Sequence, residues 1–149
     1  MTHITALVEA DRVDWLPLWH AYLEFYEEEL SEDQTELTFE RVTDPDQAVH
    51  GAIARDDEGR AVGFVHWLTH VSTWSEGPYC YLEDLYVAPD ARGGGVGRAL
   101  IAFVTDWAGE AGCSQVYWLT QSHNATARVL YNKVADDTGF VHYSIDLGE

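Results

Sequence analysis

Residues Tyr79–Leu100 read YCYLEDLYVAPDARGGGVGRAL, and this stretch decides the architecture. Tyr79–Val87 is rich in aromatic and β-favouring residues and reads as a strand. A glycine cluster follows, and then a helix over Gly95–Gly112, with Leu100, Ile101, Phe103, Val104 and Trp107 at helical spacing. Backbone N–H groups at such a helix start are unpaired and carry the positive end of the helix dipole, so they can cradle a phosphate. Glycine is needed there because a β-carbon would keep phosphate oxygens off the backbone. Arg92 and Arg98 bracket the turn. In a chain with 26 acidic and 8 basic residues, two arginines at one turn point to an anionic ligand.

The turn does not fit the two common phosphate motifs. A Walker loop needs Lys and then Ser or Thr after its last glycine, whereas Gly97 is followed by Arg98 and Ala99. A dinucleotide fingerprint needs a small residue where Leu100 stands. The pattern that fits is R-x-x-G-x-G, as Arg92-Gly93-Gly94-Gly95-Val96-Gly97. A second segment, Asn124-Ala125-Thr126-Ala127-Arg128-Val129-Leu130-Tyr131, follows a strand and reads as a helix. Asn124, Ala127 and Tyr131 stand three, four and seven residues apart and share one helix face.

Together these segments resemble the GNAT superfamily of N-acetyltransferases, which bind the pyrophosphate of coenzyme A at an R-x-x-G-x-G turn and carry an N-x-x-A-x-x-x-Y helix downstream. The resemblance is close over residues 79–143 and loose over Ala6–Tyr26. Within the family it is similar to the spermidine/spermine acetyltransferases and the yeast-type histone, polyamine and D-amino-acid acetyltransferases. One departure is Ala135-Asp136-Asp137 before Thr138-Gly139-Phe140, longer than the common ending.

The resemblance implies acetyl-CoA as co-substrate, with no metal. It implies that Arg92, Gly93, Gly94, Gly95, Val96, Gly97 and Arg98 hold the pyrophosphate. The backbone of Leu85, Tyr86 and Val87 would pair with the pantetheine amides where the sheet splays open. Asn124 would hydrogen-bond the cofactor, Ala127 would leave room for it, and Tyr131 would donate a proton to the departing thiolate. Glu83 would relay the proton of the incoming ammonium through water. Asp84 would hold the acceptor cation or support its strand, and Tyr26 would border the acceptor.

The residues themselves give reasons to watch the two carboxylates. Strand alternation puts Tyr81, Glu83 and Leu85 on one face and Leu82, Asp84 and Tyr86 on the other. Adjacent carboxylates in an otherwise apolar strand are costly unless one is solvated in a site. The acidic run Glu27, Glu28, Glu29, Glu32, Asp33 and Glu36 borders the acceptor region of the family and is available to steer a cation, although such runs are usually solvated faces.

Outward from this centre, His3–Val8 reads as a strand and Asp14–Glu29 as a helix. Its apolar face is Trp15, Leu18, Trp19, Tyr22, Leu23 and Tyr26, with Asp14 as N-cap and Pro17 in the first turn. Leu37–Val42 reads as a short second helix. His50–Arg55 and Ala61–Val71 read as strands joined at Asp56-Asp57-Glu58-Gly59, a hairpin signal. Gln115–Thr120 reads as a strand, Asn124–Asp136 as a helix, and Phe140–Leu147 as a closing strand. Hairpins first and alternating helices later predict an α/β protein, a single domain over residues 1–149 with a mixed central sheet and helices on both faces. By the resemblance this is the GNAT fold, with a mostly antiparallel sheet.

A net charge of −18 opposes nucleic acid and anionic membranes. The acidity has two compatible readings, substrate steering and the solvation habit of a halophilic protein; a single lysine, Lys133, favours the second. No stretch reads as a signal or a membrane span, so a cytoplasmic location is expected. Cys80 and Cys113 are isolated, and the histidines lack metal spacing. The expected activity is direct acetyl transfer to a small primary amine such as a polyamine or an amino acid, by a homodimer joined after Thr138. Its rivals are a protein-lysine acetyltransferase and a non-catalytic acyl-CoA sensor on the same scaffold.

Overall fold

The computed structural model describes residues 1–148. In chain order it contains β1 (His3–Ala6), α1 (Arg12–Phe25), α2 (Glu32–Thr43), β2 (Val49–Arg55), β3 (Ala61–His70), β4 (Tyr79–Val87), α3 (Val96–Glu110), β5 (Gln115–Tyr117) and α4 (Ala125–Val134). The sheet order is β1-β2-β3-β4-β5, antiparallel except for the β4–β5 pair, which is the expected mixed sheet. The chain forms two compact units, Met1–Tyr117 and Trp118–Glu149.

The β2–β3 hairpin forms where its turn residues dictate. Asp56 Oδ1 accepts the N–H groups of Glu58 and Arg60, and Gly59 takes the left-handed conformation that closes the loop (φ +83°). On β3, alternate residues serve opposite layers. Phe64 and His66 face α1, against Trp15 and Trp19. A Cβ on Gly63 would meet Leu100 and Val96 of α3, and Trp67 packs on Phe103 and Trp107 of the same helix. Helices therefore cover both faces. The layer under α1 and α2 is a buried cluster that includes Leu7, Trp15, Trp19, Phe39, Ile53, Phe64 and Tyr86.

Several boundaries differ from the sequence reading. Helix α1 begins at Arg12 after a 3₁₀ turn over Glu9–Asp11, so Asp14 is not its N-cap. Asp14 instead binds Arg55 at 2.9 Å, beside Asp11, and these cross-element ion pairs tie the helix start to β2. Pro17 lies in the helix interior, where the buried Trp15, Leu18 and Trp19 on either side of it hold the helix together. The helix stops at Phe25, before Glu27 turns left-handed (φ +54°).

Helix α2 is a full helix from Glu32 rather than the short turn Leu37–Val42. Ser31 caps it by accepting the Gln34 N–H at 3.1 Å. Strands β1 and β5 are shorter than expected, ending at Ala6 and Tyr117. The expected closing strand is not formed. Residues 140–147 pair with no described strand, and Phe140, Val141, Tyr143, Ile145 and Leu147 are exposed. Alternation marks a segment able to be a strand, but a strand needs an edge to join, and none is joined here.

Candidate active site

Strand β4 carries an irregularity at the point where the chemistry was expected. Its register on β3 pairs His66 with Asp84 and Trp67 with Leu82, which leaves Glu83 as the extra residue of a β-bulge. A bulge inserts one residue and re-aims its neighbours. Simple alternation therefore fails here: Leu82 joins Trp67 on the α3 side, although Asp84 and Tyr86 stay on the α1 side opposite His66 and Phe64. Glu83 and Asp84 line one cavity of about 280 Å³, with Trp19, His66, Leu30, Val42 and Val49, and with Gln34, Thr38 and Arg41 from α2.

The floor of this cavity is a fixed hydrogen-bond chain. The Trp15 indole N–H donates to His66 Nε2 at 3.1 Å. An indole N–H can only donate, so His66 accepts there and carries its proton on Nδ1, which donates to Asp84 Oδ2 at 2.9 Å. The Tyr22 hydroxyl donates to Asp84 Oδ1 at 2.8 Å. Two neutral donors thus hold the Asp84 carboxylate and leave its negative charge uncancelled at the cavity. Burial first, then the Asp84 charge, pushes the Tyr22 phenol far above its ordinary range, so it remains a donor. Trp15 and His66 are 0% and 1% exposed, which makes this chain rigid.

Glu83 stands open to the cavity, yet enough protein surrounds it to matter. Crowding by the protein, and secondly the Asp84 charge, raise its carboxyl above the usual value of 4.5. Tyr26 is not part of the cavity wall; it packs edge-on against Tyr22 at 5.1 Å, behind the Asp84 donor. The acidic run after α1 is not the wall either. Of those residues Glu36 pairs with Arg12, and α2 turns Gln34, Thr38 and Arg41 to the cavity instead.

Next to this cavity the sheet opens. Strand β5 pairs with β4 only at Tyr79, Cys80 and Tyr81, while β3 stays paired through Val87. The outer backbone edge of Leu82–Val87, including Leu85, Tyr86 and Val87, has no strand partner among the described residues.

The chain after β4 makes the glycine turn. Gly93 and Gly95 are left-handed, at φ +85° and +83°, and Gly95 is the N-cap of α3. The first helical hydrogen bond of that turn runs from Ala99 N–H to Gly95 O, so the N–H groups of Val96, Gly97 and Arg98 precede the ladder. A Cβ on Gly93 or Gly95 would project into open space. Arg92 is held in place: its Nε donates to Val87 O at 3.1 Å, and its guanidinium lies 5.9 Å from the Tyr86 ring centre and 6.0 Å from that of Phe25. Arg98 is exposed. An open cradle of N–H donors with two cations at a helix start fits a pyrophosphate group.

In the second unit, Asn124 caps α4, its Oδ1 accepting the Ala127 N–H at 3.4 Å. Its side-chain amide N–H₂ is not engaged by that cap. Tyr131 packs edge-on against Trp118 at 5.4 Å.

Residues 15–135 match the model of the acetyltransferase (GNAT) family. The chain belongs to that family. A D-amino-acid N-acetyltransferase of Saccharomyces cerevisiae, HPA3, is 40% identical over 141 residues, covering 94% of this chain and 88% of the yeast protein. Among solved structures, a ribosomal-protein-alanine N-acetyltransferase from Brucella melitensis biovar Abortus 2308 superposes with TM-score 0.83 at 25% identity, over 99% of this chain and all of that one. An aminoglycoside acetyltransferase, AAC(6')-Iy, in complex with a CoA-containing bisubstrate analogue, superposes with TM-score 0.84 at 22% identity, over 98% of each chain, and shares the GNAT fold.

His66, Trp15, Trp19, Tyr22, Gln34, Thr38 and Arg41 are site residues that sequence reasoning did not select. His66 carried a signal: a single histidine inside the apolar run Gly63–Leu68 must find partners for both ring nitrogens if it is buried. Ser31 and Gln34, spaced as a helix cap, signalled that α2 begins early enough to wall the cavity.

Proposed function

We propose that this GNAT protein transfers the acetyl group of acetyl-CoA to a small primary amine in a ternary complex, with a free amino acid as acceptor. The observation that carries the reading is the Glu83 bulge. It puts a carboxylate of raised proton affinity in a cavity beside the open edge of β4. The yeast relative, covered along almost its whole length, supports an amino acid as the acceptor.

Acetyl-CoA, when bound, supplies a thioester carbonyl open to attack. The Arg92–Arg98 turn binds the pyrophosphate through backbone N–H groups and two guanidinium cations. The free edge at Leu85, Tyr86 and Val87 offers hydrogen bonds to an extended amide chain and orients it. Asp84, held by Tyr22 and His66, attracts the acceptor ammonium. Glu83 takes its proton through water, leaving a neutral nucleophile. By the family resemblance, Tyr131 would supply a proton to the leaving sulfur, and Asn124 and Ala127 would contact the cofactor.

The unpaired Phe140–Leu147 segment supports a homodimer that uses residues after Thr138. Two unpaired cysteines suit a reducing cytoplasm. The charge of −18 disfavours nucleic acid and membrane partners.

Turnover with acetyl-CoA and a panel of amines, followed by free thiol release, tests the activity. Tyr131→Phe should lower kcat by about 10²–10⁴-fold with little change in CoA affinity. Full activity in that variant, with chemistry rate-limiting, would remove Tyr131 from the mechanism.

A further inference from the structure

The wall that α2 gives to the cavity has a polarity opposite to that of β4. Gln34, Thr38 and Arg41 stand at i, i+4 and i+7 and share one helix face. Gln34 Nε2 donates to Thr38 Oγ1 at 3.2 Å, which orients the Thr38 hydroxyl proton away from Gln34 and makes it a donor. Arg41 is the cationic member. Carboxylates outnumber cations more than threefold in this chain, and Arg12, Arg55, Arg60 and Arg128 all pair with them. Arg41 makes no ion pair or hydrogen bond among the described residues, although it lines the same cavity as two carboxylates.

We infer that Arg41, with the Thr38 hydroxyl, is the specificity-determining anchor for an acceptor carboxylate, so that the cavity selects zwitterionic amino acids over polyamines and other purely cationic amines. This rests on the proposed acetyl transfer and names the residue that chooses its acceptor. A bound ammonium meets Glu83 and Asp84 at one wall, and a carboxylate on the same molecule meets a planar guanidinium at the other. Trp19, Leu30, Val42 and Val49 line the apolar part of the space and accept an aliphatic side chain. A cavity of about 280 Å³ has room for a free amino acid. Net charge alone draws cationic amines to a protein of charge −18 more strongly than a zwitterion, so the preference for a zwitterion falls to the Arg41 contact.

The test compares D- and L-leucine with leucinamide, 3-methylbutylamine and putrescine, in the full-length wild type, Arg41→Gln and Arg41→Glu. Steady-state thiol release gives kcat and KM, and calorimetry gives binding of each amine without turnover. Wild type should prefer leucine of one hand over leucinamide. Arg41→Gln should raise the KM for leucine by about 5–50-fold with little change in kcat, because Arg41 is exposed and its ion pair is partly screened. The leucine-to-leucinamide ratio of kcat/KM should fall by the same factor, which cancels the different basicities of the two amines. Arg41→Glu should shift preference towards putrescine.

Equal losses for leucine and leucinamide in folded Arg41→Gln would overturn the assignment, as would calorimetry in which wild type binds leucinamide as tightly as leucine. If no amine is acetylated but leucine binds in an Arg41-dependent way, the transfer reading falls and the carboxylate anchor stands.

Discussion

Three glycine-to-alanine substitutions separate the proposed phosphate cradle from mere folding of the turn. Gly94 has an ordinary backbone conformation, and a Cβ there would meet only Ala91 O, at 3.5 Å, an ordinary contact. Gly94→Ala should therefore change stability by no more than about 0.5–1 kcal/mol, in either direction. Gly95 is left-handed with open space around it, so Gly95→Ala costs about 1–2 kcal/mol of backbone strain, or roughly 2–8 °C in melting temperature for a chain of this size. Gly59 provides the control. It has the same φ of +83° and the same open surroundings, but it lies in the β2–β3 hairpin turn. Gly59→Ala should lose the same stability as Gly95→Ala and keep its affinity for CoA.

If the turn holds pyrophosphate, a methyl group at residue 94 or 95 pushes the phosphate oxygens off one or two N–H donors. Each charge-assisted hydrogen bond is worth about 1.5–3 kcal/mol, so the Kd for CoA should rise by roughly 10–150-fold per bond lost. Calorimetry with CoA and thermal melts on the three variants supply both readouts. Folded Gly94→Ala and Gly95→Ala proteins that bind CoA like wild type would refute the cradle. A loss of affinity in Gly59→Ala equal to that in Gly95→Ala would show that binding follows stability and not the turn.

Glu83→Gln tests the carboxylate on the bulge. The native carboxyl holds its proton more tightly than the unfolded one, so its contribution to stability is present below about pH 4.5 and is lost as pH rises through its raised native value. Glu83→Gln should therefore melt higher than wild type at pH 7, converge with it in acid, and need a higher pH for turnover; identical melting curves at pH 7 would deny the raised proton affinity. Trp15→Phe removes the donor that fixes His66 and leaves a gap among Trp19, Phe39 and Phe64. It should cost about 2–3 kcal/mol, roughly 5–10 °C, in a thermal melt. Truncation after Thr138 tests assembly: sedimentation should show a dimer for the full chain and a monomer for the truncated one, and a monomeric full chain at micromolar concentration would exclude the dimer.

The sequence by itself determined those features whose physics is local. The Arg92–Gly97 turn was legible because left-handed residues and a helix start leave glycines at fixed offsets, and Gly93 and Gly95 do adopt that conformation. The shared face of Ala127 and Tyr131 follows from helical spacing alone, whereas Asn124 precedes the helix as its N-cap. The hairpin at Asp56–Gly59 and the layers on both sides of the sheet follow from turn chemistry and periodicity. Tertiary structure decided the rest. Glu83 and Asp84 were visible as a pair, but alternation assigned them to opposite faces. Their common cavity exists because β4 slips by one residue against β3, and register belongs to a pair of strands, not to either one. The chain from Trp15 through His66 to Asp84 and Tyr22 joins three elements by hydrogen bonds between residues up to 62 positions apart. Arg41 reads as one more surface arginine until the fold brings it to the lining of the same cavity as two carboxylates. Phe140–Leu147 has a strand's alternation, yet that pattern cannot supply the partner edge that a strand requires.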